Sequence, residues 1–268
     1  MAKRMGTKLK QSIGIFGFGH MGQAIFKLLK TNKKFSNCRF FVCSLGLDKV
    51  KGAERTDNLK ALAEKSDIIF LCVKPQEFKK IAPEKIGSLK TIIISIMAGV
   101  KIDAIRKTIG AKRIIRAMPN LALAAGKSMT GWYADKERLT RSELRTAKII
   151  FDAFGKQIFL KNEKQLNAVT AVSGSGPAYV FLFMDALVNA AMKLGFQRSD
   201  ALTLVKETIA GSLKYSENEN DLAELVKKVT SKKGTTEAAL KSLDVVRFYK
   251  QWERAVKKAY ERAEELSS

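Results

Sequence analysis

Histidine is almost absent from this chain: His20 is the one histidine in 268 residues. Multi-histidine metal sites are thereby excluded, and no bound metal is expected. A serine–histidine–acid triad would have to draw on a residue that sits inside a glycine-rich loop. Cysteine is nearly as scarce, and Cys38, Cys43 and Cys72 show neither a disulfide framework nor a metal-ligand spacing. Such thiols suit a reducing cytosol. No uninterrupted apolar run approaches the roughly 18–20 residues that cross a bilayer. Lys3, Arg4, Lys8 and Lys10 resemble the basic start of a signal peptide, but the apolar stretch behind them is short and broken by glycines. The expectation is a cytoplasmic protein with no membrane contact. Internal repeats and low-complexity linkers are lacking too.

What the chain does have is charge of one sign, with 49 Lys and Arg against 26 Asp and Glu and a net charge of +23. The lysines are scattered over what read as solvent faces of helices, and no nucleic-acid-binding motif accompanies them. Solubility and attraction of anionic ligands account for the excess, and no nucleic-acid partner is expected. A hydrophobic content of 46% is ordinary for a folded protein. The length suits one large or two modest domains with a substantial core.

The chain is organised around Ile13-Gly14-Ile15-Phe16-Gly17-Phe18-Gly19-His20-Met21-Gly22. An apolar run leads into Gly-x-Gly-x-x-Gly, and a helical pattern follows from Gln23 to Lys30. That order is what a dinucleotide pyrophosphate needs. Gly17 permits the tight turn, Gly19 lets the backbone approach the phosphates, and Gly22 lets helix and strand pack closely. The N–H groups at the helix start then face the anion. A purely structural turn is the alternative.

Further strands are expected at Arg39–Cys43, Ile68–Val73, Thr91–Ile96 and Arg113–Ala117, with helices near 58–64 and 103–109. The alternation implies a parallel α/β sheet with right-handed crossovers. Met129–Tyr133 and Gln157–Leu160 add strands around a helix from Glu137 to Phe154. From about Gln165 the strands disappear, and helices are expected at 177–194, 199–215, 221–229, 235–243 and 245–266. The predicted division is a dinucleotide-binding Rossmann domain over 1–163 and an all-helical substrate and dimerisation domain over 164–268. The helix from Pro177 is apolar on nearly every face, which calls for burial against another subunit or at the centre of a monomeric bundle.

The end of the second strand in such a fold selects the cofactor. Here it reads Cys43-Ser44-Leu45-Gly46-Leu47-Asp48-Lys49, with no acid at the tip, a serine there, and Lys49 and Lys51 nearby. This favours NADPH, with NADH as the alternative and Asp48 as the dissenting residue.

Three more stretches stand out: Val73-Lys74-Pro75 and Arg116-Ala117-Met118-Pro119-Asn120 at strand ends, and Val172-Ser173-Gly174-Ser175-Gly176-Pro177-Ala178-Tyr179 opening the long helix. A fourth, Ser231-Lys232-Lys233-Gly234-Thr235-Thr236, precedes a late helix. Its hydroxyls and backbone N–H groups read either as an ordinary N-cap or as a carboxylate site. Together, over nearly the whole chain, these elements closely resemble the pyrroline-5-carboxylate reductase family.

The resemblance implies NAD(P)H-dependent reduction of 1-pyrroline-5-carboxylate to L-proline by a homodimer or a ring of dimers. By position it implies that Gly17, Phe18, Gly19, His20, Met21 and Gly22 hold the pyrophosphate. Ser44 and Asn58 would lie near the adenosine ribose and its phosphate. Val73, Lys74, Pro75, Met97 and Ala98 would line the nicotinamide side. Ser231, Gly234, Thr235 and Ser175 would bind substrate, with Thr236 on the ring nitrogen as the catalytic residue and Glu219 facing the same atom.

The chain also departs from the family. Relatives usually carry Ser-Pro-Gly-Gly-Thr-Thr, where this sequence has Lys232-Lys233 in place of Pro-Gly. Lysine reaches the angles of that pair less readily, so N–H placement is expected to differ. Lys228 stands where some relatives have an asparagine, and Leu121-Ala122 replace a usual Thr-Pro. A reductase of another small cyclic imine or keto acid, or a non-catalytic regulatory paralogue, are the rival readings.

Overall fold

The computed structural model describes residues 9–46, 49–78, 80, 85–87 and 90–267. The basic residues Lys3, Arg4 and Lys8, and the dissenting Asp48, lie outside them. Ser12–Phe16 (β1) runs into α1 (His20–Thr31), which begins three residues earlier than the apolar pattern suggests. There follow β2 (Arg39–Cys43), β3 (Glu54–Arg55), α2 (Leu59–Lys65), β4 (Ile68–Leu71) and the single turn α3 (Pro75–Phe78). Next come β5 (Ile92–Ser95), α4 (Ile102–Ile109), β6 (Arg113–Met118), β7 (Ser128–Ala134), α5 (Arg141–Phe154) and β8 (Gly155–Phe159).

The strands form one sheet in the order β3-β2-β1-β4-β5-β6-β7-β8. Every residue of β4 and β5 is buried, as expected for parallel strands covered on both faces by helices, and this is why they read as unbroken apolar runs. One cluster, including Ile13, Ile15, Phe70 and Ile94, packs under α1 and α5. The other, including Phe41, Ile69, Ile93 and Ile114, packs under α2 and α4. The helix α5 starts at a reciprocal cap: the Thr140 hydroxyl accepts from Glu143 N–H, and Glu143 accepts from Thr140 N–H.

The strands of the alternation, β1, β2, β4, β5 and β6, pair in parallel as expected, but the sheet continues past them with one reversal. β6 pairs with β7 antiparallel, Met118 opposite Gly131 and Ile115 opposite Ala134, and β8 then runs parallel to β7. The connection 119–127 is too short for a parallel crossover, which takes about a dozen residues or more, so the chain folds back. The short edge strand β3 was not expected either. Its two polar residues, which pair with Phe41 and Val42, carry no hydrophobic pattern.

After β8 come α6 (Gln165–Val169), a wide π-type turn at Thr170–Gly174, α7 (Gly176–Lys193), α8 (Arg198–Tyr215), α9 (Leu222–Lys228), α10 (Thr235–Ser242) and α11 (Val245–Leu266). The chain divides into two compact units: Met1–Ser175 with Ala259–Ser268, and Gly176–Lys258. Within the second, α7 and α8 share a small core of Val188, Ala201 and Val205, and Tyr179 meets Trp252 edge-on at 5.4 Å. Otherwise α7 is bare: Val188 is its one buried residue, while Leu182 is 68% and Phe181 55% exposed. The helical run Gln165–Lys193 is long and apolar enough to cross a membrane by length and composition. That is a matter of length and composition only, and an ordinary apolar core helix meets it too.

The sheet core supplies a first test. Phe154 is fully buried between Phe70 and Phe151, with ring centroids 6.0 and 5.9 Å away. Phe154→Ala is expected to lower unfolding free energy by about 3–5 kcal/mol, read from the urea midpoint of the sheet unit.

Candidate dinucleotide and substrate sites

In the sheet the chain leaves β1 toward β2 on one side and returns to β4 on the other, which makes the carboxyl ends of β1 and β4 the topological switch point. Ligands of open α/β sheets bind there. Gly17, directly after β1, has φ +89°, and a Cβ on it would lie 2.7 Å from Val73 Cγ1 and 3.0 Å from the Cys72 carbonyl. The glycine loop and the Val73-Lys74-Pro75 stretch are thus in contact across the switch point. A hydrogen bond from Gly17 N–H to the Cys43 carbonyl, 2.8 Å, ties the loop to the end of β2 as well.

The three glycines divide the work in the way their spacing suggests. A Cβ on Gly22 would stand 2.2 Å from the Gly17 carbonyl oxygen, so α1 packs against the turn itself. At Gly19, the N-cap of α1, nothing lies within 4 Å of an added Cβ. No side chain caps this helix and no acid sits in its first turn, so its first N–H groups are left for an anion. Gln23 Nε2 holds the loop by donating to the Phe18 carbonyl at 2.9 Å, and Phe18 packs edge-on to Phe26. His20 and Met21 open the helix, His20 exposed.

Ser44, at the tip of β2, is half-buried, and Lys49 in the following loop is exposed. Asn58 serves α2 as N-cap, its side-chain oxygen accepting from Ala61 N–H at 2.8 Å. Pro75 begins α3, where a missing N–H costs nothing. Met97 is buried and Ala98 half-buried in the loop after β5. Burial of its sulfur pushes the Cys72 thiol well up from its ordinary range, which favours the protonated form.

Two motifs that sequence left separate are joined. Asn120 Nδ2 donates to the Ser173 carbonyl at 3.1 Å and to its hydroxyl at 3.2 Å, and that hydroxyl donates to the Met129 carbonyl. The stretch leading to Ser175 is therefore fastened to the end of β6, and Ser175 N–H itself donates to Thr170. Sequence reasoning also missed Glu163, which accepts from Arg116 Nη1 at 2.7 Å and from Ile102 N–H at 2.8 Å. An arginine in the middle of the apolar strand Arg113–Met118 was the available signal, since a buried guanidinium needs a partner.

The late turn lies in the helical unit. Gly234 is the N-cap of α10, and no side chain caps that helix. A Cβ on Gly234 would meet Ser231 Oγ at 2.3 Å, so the serine hydroxyl folds over the glycine. Thr235 and Thr236 form the first turn, and their hydroxyls make no hydrogen bond among the described residues. Lys233, in place of a glycine, holds φ +62° and donates its N–H to Glu237 at 2.7 Å. The lysine thus adopts the left-handed conformation, at a steric cost of about 1–2 kcal/mol. Glu219 is taken up in an ion pair with Lys228 at 3.0 Å, which raises the lysine pKa mainly through that hydrogen bond. Among the described residues no group of histidines, cysteines and acids is arranged to hold a metal ion.

Comparison with known proteins agrees with these two halves. A family model described as "Pyrroline-5-carboxylate reductase dimerisation" matches residues 163–266, and one described as "NADP oxidoreductase coenzyme F420-dependent" matches residues 12–99. The chain is 35% identical to the pyrroline-5-carboxylate reductase of Aquifex aeolicus, over 88% of this chain and 90% of that one. It is 35% identical to that of Synechocystis, over 95% and 97%. Among solved structures, a Coxiella burnetii pyrroline-5-carboxylate reductase superposes with a TM-score of 0.85 at 32% identity, covering 97% of this chain and all of that one. A Plasmodium falciparum pyrroline carboxylate reductase with NADP bound gives 0.86 at 26% identity, covering 98% and 100%.

The glycine geometry separates two substitutions. Gly22→Ala forces the Gly17 carbonyl to move and is expected to cost about 1–3 kcal/mol of stability, measured by thermal or urea unfolding. Gly19→Ala enters open space at φ −72° and is expected to leave stability unchanged while weakening dinucleotide binding, measured by titration with the reduced cofactor.

Proposed function

The chain belongs to the pyrroline-5-carboxylate reductase family, and on that premise we propose that it reduces 1-pyrroline-5-carboxylate to L-proline with NADPH, the last step of proline synthesis. The observation that carries the reading is the uncapped start of α1, with open space beside Gly19 and the end of β4 packed on Gly17. This cradle fits a pyrophosphate. Gly17, Phe18, Gly19, His20, Met21 and Gly22 hold it in the proposal. Ser44 and Asn58 take the adenosine ribose and its phosphate, helped by Lys49 and Lys51. Val73, Lys74, Pro75, Met97 and Ala98 line the nicotinamide side. Bound there, the nicotinamide supplies a hydride for the carbon of a C=N bond.

The remaining work falls to the helical unit. We assign residues 1–163 to dinucleotide binding and 164–268 to substrate binding and dimer formation. The N–H groups at the start of α10, with Ser231, Gly234 and Thr235, bind the substrate carboxylate, and Ser175 lies on the substrate side as well. The Thr236 hydroxyl hydrogen-bonds the ring nitrogen and keeps its proton in place. A cyclic imine is basic enough to carry that proton near neutral pH, so orientation matters more than strong acid catalysis. This suits a chain with one histidine, placed in the glycine loop. Glu219 faces the ring nitrogen only if it leaves Lys228. The exposed faces of α7 are covered by a second copy, which the match to a dimerisation model supports. A ring of such dimers is the larger assembly proposed, in a reducing cytoplasm.

Three outcomes test this reading. NADPH is oxidised when pyrroline-5-carboxylate is present and not when it is omitted; absence of turnover removes the assignment. Thr236→Ala lowers kcat by roughly one to three orders of magnitude. Leu182→Glu, which places a charge on the bare face of α7, lowers the mass measured by analytical ultracentrifugation to that of a monomer.

A further inference from the structure

We infer that Glu163 is a positioning residue for the nicotinamide end of the site, because one of its carboxylate oxygens fastens the loop after β5 to β6. The inference rests on the reading above. Arg116 is the one charged residue buried among those described, its side chain 4% exposed in a strand whose neighbours Ile114, Ile115, Ala117 and Met118 are all buried. Such a guanidinium requires an anion. Glu163 supplies it at 2.7 Å, and the same oxygen accepts the N–H of Ile102 at 2.8 Å. Ile102 is the first residue of α4, so Glu163 also satisfies a helix-start donor that no N-cap side chain serves.

One donor comes from the loop that borders the proposed nicotinamide, the other from β6, the strand paired with β5. Ile102 ends the loop that carries Met97 and Ala98. Arg116 stands two residues before Met118, where β6 leads to Pro119 and Asn120. The loop is held from a second side as well: Gly99, at φ +76°, lies so close to the last turn of α11 that a Cβ would be 2.4 Å from the Leu266 carbonyl oxygen. The loop is therefore clamped at Gly99 and at Ile102. Neither Arg116 nor Glu163 bonds to the glycine loop. Loss of the tie should loosen the nicotinamide end and spare the pyrophosphate end. Behind Glu163 an open cavity of about 450 Å³, lined also by Lys101, Lys164 and Glu264, keeps the carboxylate partly hydrated, 27% exposed. An uncharged amide is therefore tolerable there.

The test compares two ligands on the full-length protein: NADPH, and 2′-phospho-ADP-ribose, which is the same molecule without its nicotinamide. Glu163→Gln keeps an acceptor oxygen and removes the charge. The variant is expected to bind the fragment within about twofold of wild type, to bind NADPH at least about fivefold more weakly, and to lose about ten- to a hundredfold in kcat. Equal weakening of both ligands, or of neither, overturns the inference. A double variant, Arg116→Met with Glu163→Leu, removes both charges and keeps the site filled. It is expected to keep the wild-type thermal midpoint but not the preference for NADPH over the fragment; keeping both overturns the inference too. Should wild type bind NADPH yet leave pyrroline-5-carboxylate unreduced, the functional reading fails alone. The ratio of the two affinities still decides the role of Glu163.

Discussion

The site depends on a steric constraint at the switch point of the sheet. The chain must turn at Gly17 with positive φ, bring Gly22 against the Gly17 carbonyl, and pass Val73 so closely that no side chain fits between. Each of these contacts uses a missing Cβ. Together they set α1 end-on to the carboxyl edges of β1 and β4, with Gly19 left facing open space. A helix start with free N–H groups, of the kind that suits an anion, follows from packing, with no charged side chain required.

Beyond that point the fold relies on burial, with polar ties confined to a few places. Strands β4 and β5 have no polar exposure to manage, and their helices cover both faces. Arg116 is the exception in the core, and its charge is answered locally by Glu163. Ion pairs such as Lys148–Asp152 and Lys214–Glu217 lie at least partly in solvent, so each adds little to stability. The large positive charge is thus a property of the surface. It affects solubility and the approach of anionic ligands and has little to do with holding the fold.

The helical unit has the opposite character. Its core of Val188, Ala201 and Val205 is small, and large apolar side chains such as Phe181, Leu182 and Leu213 stand in solvent. A helix apolar on nearly every face cannot be satisfied by one neighbour. The turn before α10 carries its own tension in Lys233, held at φ +62° beside an uncapped helix start. A glycine would take this angle without cost, so the sequence has accepted strain to place a lysine there.

Much of this was legible in the residues alone, for a physical reason. Buried parallel strands must be apolar throughout, helices that cover them must be apolar on one face, and a close turn must be glycine. Local pattern therefore determined β1, β2, β4, β5, β6, the Gly17–Gly22 turn, and nearly every helix from α5 to α11. Contacts between distant residues leave no such period. Asn120 and Ser173 lie 53 residues apart, and Arg116 and Glu163 47 apart, so only the folded chain brings each pair together. The reversal at β7 and the polar edge strand β3 were likewise decided by connection length and strand pairing. Sequence by itself determined that a dinucleotide-shaped turn opens an α/β sheet; tertiary structure decided which distant residues meet around it, because contacts far apart in the chain leave no local pattern.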